Sequence, residues 1–308
     1  KEKIINLYNS FSFLEYSDKL KTSDKELFNR LHHGAATDME FIKSLSILTR
    51  LLYSHYNKLV ILLIDEYDVP LAKASSHGYY EQMLEVIKAM MTTALKDNAA
   101  LCFSIVTGCL RISKERIFTG TNNFVSDTIT NSRLNEYFGF VQHEVDQLLL
   151  SADFTDKASA MKEWYDGYHF GTFDVYCPWD VMNYLLELQR NPQASPVSYW
   201  KNTSDNAIIR SFIDYAGSSI TKKLETLMAA GSIVQRVDEN LTYDYLHSSE
   251  DNLWSLLYLT GYLTKAQTTI DTNELPPGMM ELKIPNAEIK EIFETTVVRW
   301  FDESENTV

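Results

Sequence analysis

The sequence has few cysteines, no excess of basic residues and no long apolar run. These features bear on the redox environment of the protein and on its binding to nucleic acid and membranes. Its three cysteines, Cys102, Cys109 and Cys177, cannot complete a set of disulfides and lack metal-ligand spacing, so we expect a reducing, cytoplasmic environment. With 28 basic and 42 acidic residues the formal net charge is −14, which disfavours broad binding to nucleic acid or anionic membrane. No apolar run approaches membrane-spanning length and no signal peptide is found, so we expect no membrane partner.

The rest of the chain is organised around residues 58–68, an apolar run that ends in acidic residues. Its six apolar residues, Leu59 to Ile64, run without a break and are rich in branched side chains. Such a run predicts a strand buried on both faces, of the kind found in parallel sheets. Asp65 and Glu66 follow directly, where the strand should leave the core. In open α/β sheets this carboxyl edge is where ligands bind.

The adjacent acids Asp65 and Glu66 have the chemistry that nucleotide hydrolysis requires. One carboxylate can hold the water shell of Mg²⁺, and the other can position or deprotonate the attacking water. A solvated turn at the strand end is the plain alternative, and for a single Asp it would be the better interpretation. A pair of acids directly after a buried apolar run favours the functional hypothesis.

Further elements predict a parallel sheet covered by helices. Apolar residues at helical spacing predict helices over residues 39–56 and 80–95, and residues 101–106 form a second apolar run typical of a buried strand. Thr107 and Arg111 follow this second strand. A cation there could stabilise the charge of a transferring phosphoryl group, or it could simply lie on the surface.

Two other segments have no assigned chemistry. Asn122 and Asn123 are better explained by turn formation than by ligand binding. The aromatic segment Trp164–Gly171 predicts a rigid, packed turn. A base-stacking platform would need basic neighbours, of which there are few.

Several stretches resemble, in the same order, a known protein family. They are Leu62–Leu71, Thr107–Glu115, Ile117–Asn123, Trp164–Gly171 with Tyr176–Trp179, and Leu256–Leu263. Together they resemble the AAA-ATPase-like family of bacterial and archaeal proteins, whose longer members carry a C-terminal nuclease domain of the PD-(D/E)XK type. The sequence departs from the family pattern at Cys177, where Asn is expected, at Asp180, where Ser is expected, and at Thr121, where Leu is expected.

The resemblance implies roles for the residues at the two strand ends. Asp65 matches the Walker B acid that holds Mg²⁺ through water, and Glu66 matches the acid that activates the attacking water. Thr107 lies near the position of a sensor residue, and Arg111 is a candidate phosphate-facing cation. ATP and Mg²⁺ are the cofactors that the resemblance implies.

The resemblance and the periodicity together predict two domains. Residues 1–138 would form an incomplete α/β core of the ATPase, and residues 139–308 a helical lid. Helices and short strands that alternate over residues 220–265 suit a winged-helix-like region. The predicted fold class is therefore α/β, with a partial P-loop-type parallel sheet flanked by helices and a mainly helical C-terminal domain.

The phosphate-binding loop of such an ATPase, Gly-x-x-x-x-Gly-Lys-[Ser/Thr], is missing. No Gly-Lys pair occurs anywhere in the 308 residues. In the resembled family this loop precedes the region that matches Lys1, and the nuclease domain follows the region that ends at Val308. The expectation is a middle portion of a longer protein, poorly active or inactive by itself, so that Mg²⁺ and ATP need not bind this chain alone.

Three functions stay open. The chain could be part of an ATP-dependent machine, a non-catalytic binding or scaffolding module, or a metal-dependent hydrolase that uses Asp65, Glu66 and Asp68. Missing early strands would expose an apolar sheet surface, so we expect self-association. Nucleic acid would bind only through a nuclease domain outside this chain.

Overall fold

A computed structural model describes five stretches of the chain, and these residues fall into two compact units. The described residues are 1–110, 124–200, 218–241, 249–267 and 275–295. The first unit lies within Lys1–Val125 and Asn240–Asp244, and the second within Ser126–Glu239 and Tyr245–Val308. The fold class is α/β, with a small parallel sheet flanked by helices, as predicted. The predicted domain boundary after residue 138 stays a prediction.

The first unit consists of helices and two strands. The elements are α1 (Glu2–Asn9), α2 (Thr22–His32), α3 (Asp38–Ile42), α4 (Ser44–Tyr56), β1 (Val60–Ile64), α5 (Val69–Ser76), α6 (Tyr80–Leu95) and β2 (Leu101–Val106). Thr37 caps α3 through a reciprocal capping box with Glu40. The helix predicted over residues 39–56 is two helices that meet at Lys43, and α4 ends at Asn57, whose φ is 51°.

The sheet of the first unit has one covered face and one open face. β1 and β2 are parallel, and Ile61 pairs with Phe103 and Leu63 with Ile105. Ile64 packs against the helical residues of the core beneath the sheet. The side chains of Ile61 and Leu63 are 52% and 69% exposed, so the prediction of a strand buried on both faces was wrong. The physical reason is that, within the described part of the chain, helices pack on one side of the sheet only.

The second unit begins with a helical layer. Its elements are α7 (Gln142–Ser151), α8 (Ala158–Tyr165), the hairpin of β3 (Tyr168–Phe170) and β4 (Phe173–Val175), and α9 (Pro178–Arg190). Pro178 stands in the first turn of α9, where its missing N–H costs nothing. A core that includes Val145, Met161, Val181 and Leu188 holds these three helices together.

The rest of the second unit is a three-stranded antiparallel sheet with helices. Its elements are α10 (Ser218–Met228), β5 (Ile233–Arg236), α11 (Glu250–Leu259), β6 (Thr264–Lys265), β7 (Met279–Lys283) and α12 (287–295). The strand order is β5-β7-β6. The winged-helix-like character of this region stays a prediction. None of the described helices is both long and apolar enough to cross a membrane.

Candidate functional site

The carboxyl ends of β1 and β2 lie side by side in the first unit. The ladder pairs Ile64 with Val106 and continues one step further, because the N–H of Thr107 donates to the carbonyl of Ile64 at 2.9 Å. The N–H of Tyr67 then donates to the carbonyl of Thr107 at 3.0 Å. The parallel register therefore brings Asp65 and Thr107, which are distant in sequence, to adjacent positions on one edge.

Asp65 is the centre of the contacts at this edge. Its Oδ1 accepts a hydrogen bond from the hydroxyl of Thr107 and another from the N–H of Glu66, the second at 3.1 Å. Asp65, Glu66 and Thr107 are all exposed. The two contacts fix the orientation of the Asp65 carboxylate while it stays accessible to water and to ligands.

Glu66 has a backbone conformation that is unfavourable for its residue type. Its φ is 52°, in the left-handed region, where a non-glycine residue costs about 1–2 kcal/mol. A turn holds it there, since the N–H of Val69 donates to the carbonyl of Glu66 at 3.2 Å. Backbone strain at an exposed acid is typical of positions kept for function rather than for stability.

Asp68 has a structural rather than a catalytic environment. Its side chain is 1% exposed, and its carboxylate accepts the N–H of Leu110 at 2.9 Å and the N–H of Cys109 at 3.1 and 3.2 Å. These bonds tie the segment after β2 to the start of α5. Among the residues that the structure describes, no three His, Cys, Asp or Glu side chains come together as a metal-binding group. The arrangement therefore does not favour a metal-dependent hydrolase built on Asp65, Glu66 and Asp68.

Gly108 and Tyr67 complete this junction, and the sequence interpretation missed both. The hydroxyl of Tyr67 donates to the carbonyl of Leu110 at 2.8 Å. A Cβ on Gly108 would lie 2.4 Å from the Tyr67 ring and 2.8 Å from Oδ1 of Asp68. Only glycine fits there. The one signal in the sequence was a glycine directly after a strand end, which also occurs in ordinary turns.

The other candidate residues, Arg111, Asn122 and Asn123, lie outside the described residues, as does the departure at Thr121. Their assignments therefore stay predictions from the sequence.

The oxygen atoms at this edge suit Mg²⁺ bound together with phosphate. Mg²⁺ prefers oxygen ligands, keeps several of its waters and takes one or two carboxylates plus substrate phosphates rather than a full protein cage. Asp65 supplies one exposed carboxylate and Thr107 an exposed hydroxyl beside it. These two residues would hold the ion through its waters, and Glu66 would remain for a water molecule.

Comparison with known proteins finds a family match over the first part of the chain. Residues 4–118 match the family model described as AAA-ATPase_like, a predicted AAA-ATPase. Over this segment the chain is similar to that family. The family resemblance is thus confirmed there, and the matched segment includes Asp65, Glu66 and Thr107.

One similar protein comes from Azotobacter chroococcum mcd 1 and is described as an uncharacterized protein in the vnfD 5' region. It is 23% identical over 246 residues, which are 79% of this chain and 44% of the relative. The chain therefore spans less than half the length of this curated relative. No solved structure matches the chain.

Proposed function

We propose that this chain supplies the acidic edge of an ATP-hydrolysing site. The observation that carries the proposal is the contact of Asp65 with Thr107 across the ends of two parallel strands, with Glu66 exposed and strained beside it. Parallel strand ends are the usual ligand-binding edge of an α/β sheet. The family match over residues 4–118 supports the use of nucleotide and Mg²⁺ in general terms.

Each residue of this edge has a distinct task in the proposal. Glu66 accepts a proton from, or orients, the water that attacks the γ-phosphate. Asp65 binds the water shell of Mg²⁺, and Thr107 holds that carboxylate in place through its hydroxyl. Arg111 would face the phosphates as a cation. Mg²⁺, when bound with the nucleotide, supplies neutralisation of charge on the phosphate oxygens.

The phosphate cradle must come from elsewhere. Because no Gly-Lys pair occurs in the sequence, a P-loop of the usual form is not among these 308 residues. We therefore expect little or no ATP turnover by this chain alone, and full activity only in a longer polypeptide that adds such a loop. A cytoplasmic location, where ATP and Mg²⁺ are abundant, belongs to the same proposal.

Calorimetry with ATP and Mg²⁺ tests the proposal in the longest natural polypeptide that contains these residues. Asp65→Asn should weaken the Mg²⁺-dependent part of binding about tenfold or more, because a ligand-orienting carboxylate is lost. Glu66→Gln should leave binding intact. Glu85→Gln, on the exposed surface of α6, is the matched control and should bind like the wild type.

Two results would overturn this account. One is Mg²⁺·ATP binding that Asp65→Asn leaves unchanged, and the other is the absence of any ATP binding in the longest polypeptide. Clear binding heat from the 308-residue chain itself would contradict the expectation that its phosphate cradle lies elsewhere.

A non-catalytic assembly module is the second candidate function, and one observation favours it. The open face of the sheet carries an exposed patch of four apolar side chains at paired positions. They belong to Ile61, Leu63, Phe103 and Ile105. Parallel sheets are normally covered on both faces, and a bare apolar patch of this kind promotes association. We propose a second copy of this chain as the occupant, because a flat apolar patch without charges can pack against itself about a two-fold axis.

Sedimentation velocity tests this second candidate. Leu63→Lys should shift the chain from dimer to monomer, whereas Met39→Lys, an equally exposed apolar residue on α3, should leave the dimer intact. A wild-type chain that stays monomeric at high concentration would contradict it. In that case another layer of polypeptide, rather than a second copy, would have to cover the face.

A further inference from the structure

Two carboxyl groups, those of Asp180 and Glu288, are buried together in the second unit. Asp180 lies in the first turn of α9 and Glu288 in the first turn of α12, with exposures of 1% and 0%. The two side chains are hydrogen-bonded to each other. Apart from the partner carboxyl group, no N–H or O–H donor of the described residues reaches the buried atoms Asp180 Oδ1 and Glu288 Oε2. Two carboxyl groups in this position require a proton on one of them.

The described residues around the two carboxyl groups supply hydrogen-bond donors but little positive charge. The N–H of Trp200 donates to Glu288 Oε1 at 2.9 Å, and the hydroxyl of Ser198 also bonds Glu288. The thiol of Cys177 forms a hydrogen bond with the carboxyl group of Asp180. Among the described residues, the phenols of Tyr165, Tyr168 and Tyr199 are also influenced by the charge of the pair. Within the same part of the chain, no Lys or Arg is among the groups that act most strongly on either acid.

The pair lies where two hydrophobic cores of the second unit meet. Val181, next to Asp180, belongs to the core of α7, α8 and α9. Ile289, next to Glu288, belongs to the core of the three-stranded sheet and its helices. The state of the pair therefore acts directly on the junction between these two cores.

The aromatic segment Trp164–Gly171, which had no role in the sequence interpretation, forms the rest of this junction. A Cβ on Gly167 would lie 2.2 Å from the carbonyl oxygen of Pro285, so the two backbones are in close contact. The side-chain amide of Asn286 donates to the carbonyl of Asp166 at 3.0 Å. Asn286 also caps α12, because its Oδ1 accepts the N–H of Ile289 at 3.0 Å.

We propose that Asp180 and Glu288 form a proton-dependent latch between the α7–α9 layer and the sheet with α10–α12. One proton shared by the two carboxyl groups keeps the latch closed. Loss of that proton leaves two carboxylates in contact in a dry junction, and their repulsion opens it. Two of the departures from the family pattern, Cys177 and Asp180, lie at this junction.

The direction of the switch follows from burial. Burial, together with the neighbouring Asp180, raises the pKa of Glu288 to about 8, and burial also raises the pKa of Asp180. At neutral pH the pair therefore holds one proton, which one carboxyl group donates to the other. The latch is therefore closed at neutral pH and opens as the pH rises through about 8.

Hydrogen exchange across pH tests the latch on the whole chain. Peptides that cover residues 166–177, 198–200 and 285–290 should lose protection above about pH 8, after correction for the intrinsic exchange rate. For a one-proton opening the protection should fall by up to about tenfold per pH unit. Helices of the first unit serve as the internal reference.

Two neutral variants remove the switch if the proposal is right. Asp180→Asn and Glu288→Gln should each keep the junction protected at high pH, because neither can form the pair of like charges. Glu163→Gln, which changes an exposed acid on α8, should behave like the wild type. Identical pH curves for the wild type and Asp180→Asn would overturn the proposal.

A spectroscopic measurement on the unmodified chain keeps the test decisive should a variant fail to fold. The infrared C=O band of a buried protonated carboxyl should be present at neutral pH and disappear near pH 8. A chain with no protonated carboxyl at neutral pH would equally overturn the proposal.

Discussion

The molecule holds two pairs of acids that differ in almost every respect. Asp65 and Glu66 are neighbours in sequence, exposed at a strand end, and next to a hydroxyl. Asp180 and Glu288 are far apart in sequence, buried at two helix N-termini, and hydrogen-bonded to each other. The first pair can meet a ligand and a cation from solvent. The second is shut off from ligands and can only gain or lose a proton.

Burial accounts for this difference, because it determines whether a carboxylate can take part in chemistry or must be neutralised within the protein. An exposed acid costs little and is available for chemistry, while a buried acid must be neutralised or hydrogen-bonded. Asp68 shows a third solution, since backbone N–H groups hold its buried carboxylate. Loss of each of these acids should therefore have a different consequence.

Removal of the Asp68 carboxylate should give the largest change in stability. Asp68→Ala leaves the N–H groups of Cys109 and Leu110 without their acceptor, and the first unit should lose about 3 kcal/mol of unfolding free energy. The four tryptophans of the described residues lie in the second unit and none lies in the sequence range of the first, so fluorescence reports the second unit while far-UV circular dichroism reports both. Urea unfolding followed by both signals checks the prediction.

Asp65→Ala is the matched control for this experiment. Its carboxylate is exposed, so the stability change should stay within about 0.5 kcal/mol. Equal losses for Asp68→Ala and Asp65→Ala would contradict the contrast between a buried and an exposed acid.

A side chain at Gly108 should have the next largest effect on the first unit. Gly108→Ala places a methyl group against the Tyr67 ring and the Asp68 carboxylate, which should cost about 1–3 kcal/mol through overpacking. The same unfolding measurement applies, and Gly78→Ala controls for loss of glycine, since its Cβ would meet open space. Gly78 has a φ of +76°, so Gly78→Ala introduces the backbone strain of a positive φ but no overpacking. An unchanged free energy of unfolding in Gly108→Ala would show that the packing around Gly108 is looser than described above.

The two units should respond to pH in opposite directions. Glu288, with its pKa raised from 4.5 to about 8, contributes stability that is complete below its unfolded pKa and is lost as the pH rises through about 8. In the first unit Arg30 lowers the pKa of Glu40 to about 2, so that contribution is present above the unfolded pKa and is lost as the pH falls towards 2.

Urea unfolding at about pH 6 and pH 9, followed by tryptophan fluorescence, checks the second unit. Its midpoint should fall as the pH rises, and Glu288→Gln should remove most of the change. Glu250, whose pKa Lys223 lowers, has no effect in this window because its contribution is lost only at acid pH. A midpoint that rises between these pH values would contradict the sign.

The smallest expected effect is that of the Thr107 hydroxyl. Thr107→Val removes the donor that orients Asp65 but keeps the shape of the side chain. ATP turnover in the longest natural polypeptide should fall about tenfold, with stability unchanged, because such supporting contacts typically contribute 10–100-fold. Thr107→Ser, which keeps the hydroxyl, should retain most of the activity. Equal loss in both variants would show that the methyl group, not the hydroxyl, is what matters.

Local sequence was enough to predict the strand ends that carry Asp65 and Thr107, but it could not predict the contact between Asp180 and Glu288. Leu59–Ile64 and Leu101–Val106 are apolar runs whose ends are polar, so periodicity was enough to predict parallel strands with Asp65 and Thr107 at one edge. The open face at Leu63 was not predictable, because an apolar run looks the same whether one or two layers cover it. The meeting of Asp180 with Glu288 depends on tertiary packing that no local pattern records.

ATP turnover by Glu66→Gln in the longest natural polypeptide that contains this chain tests the central claim most directly. If Glu66 activates the attacking water, turnover should fall at least a hundredfold while ATP and Mg²⁺ still bind. Turnover at the wild-type rate in Glu66→Gln would contradict the claim that the exposed acids at the end of β1 are the catalytic edge.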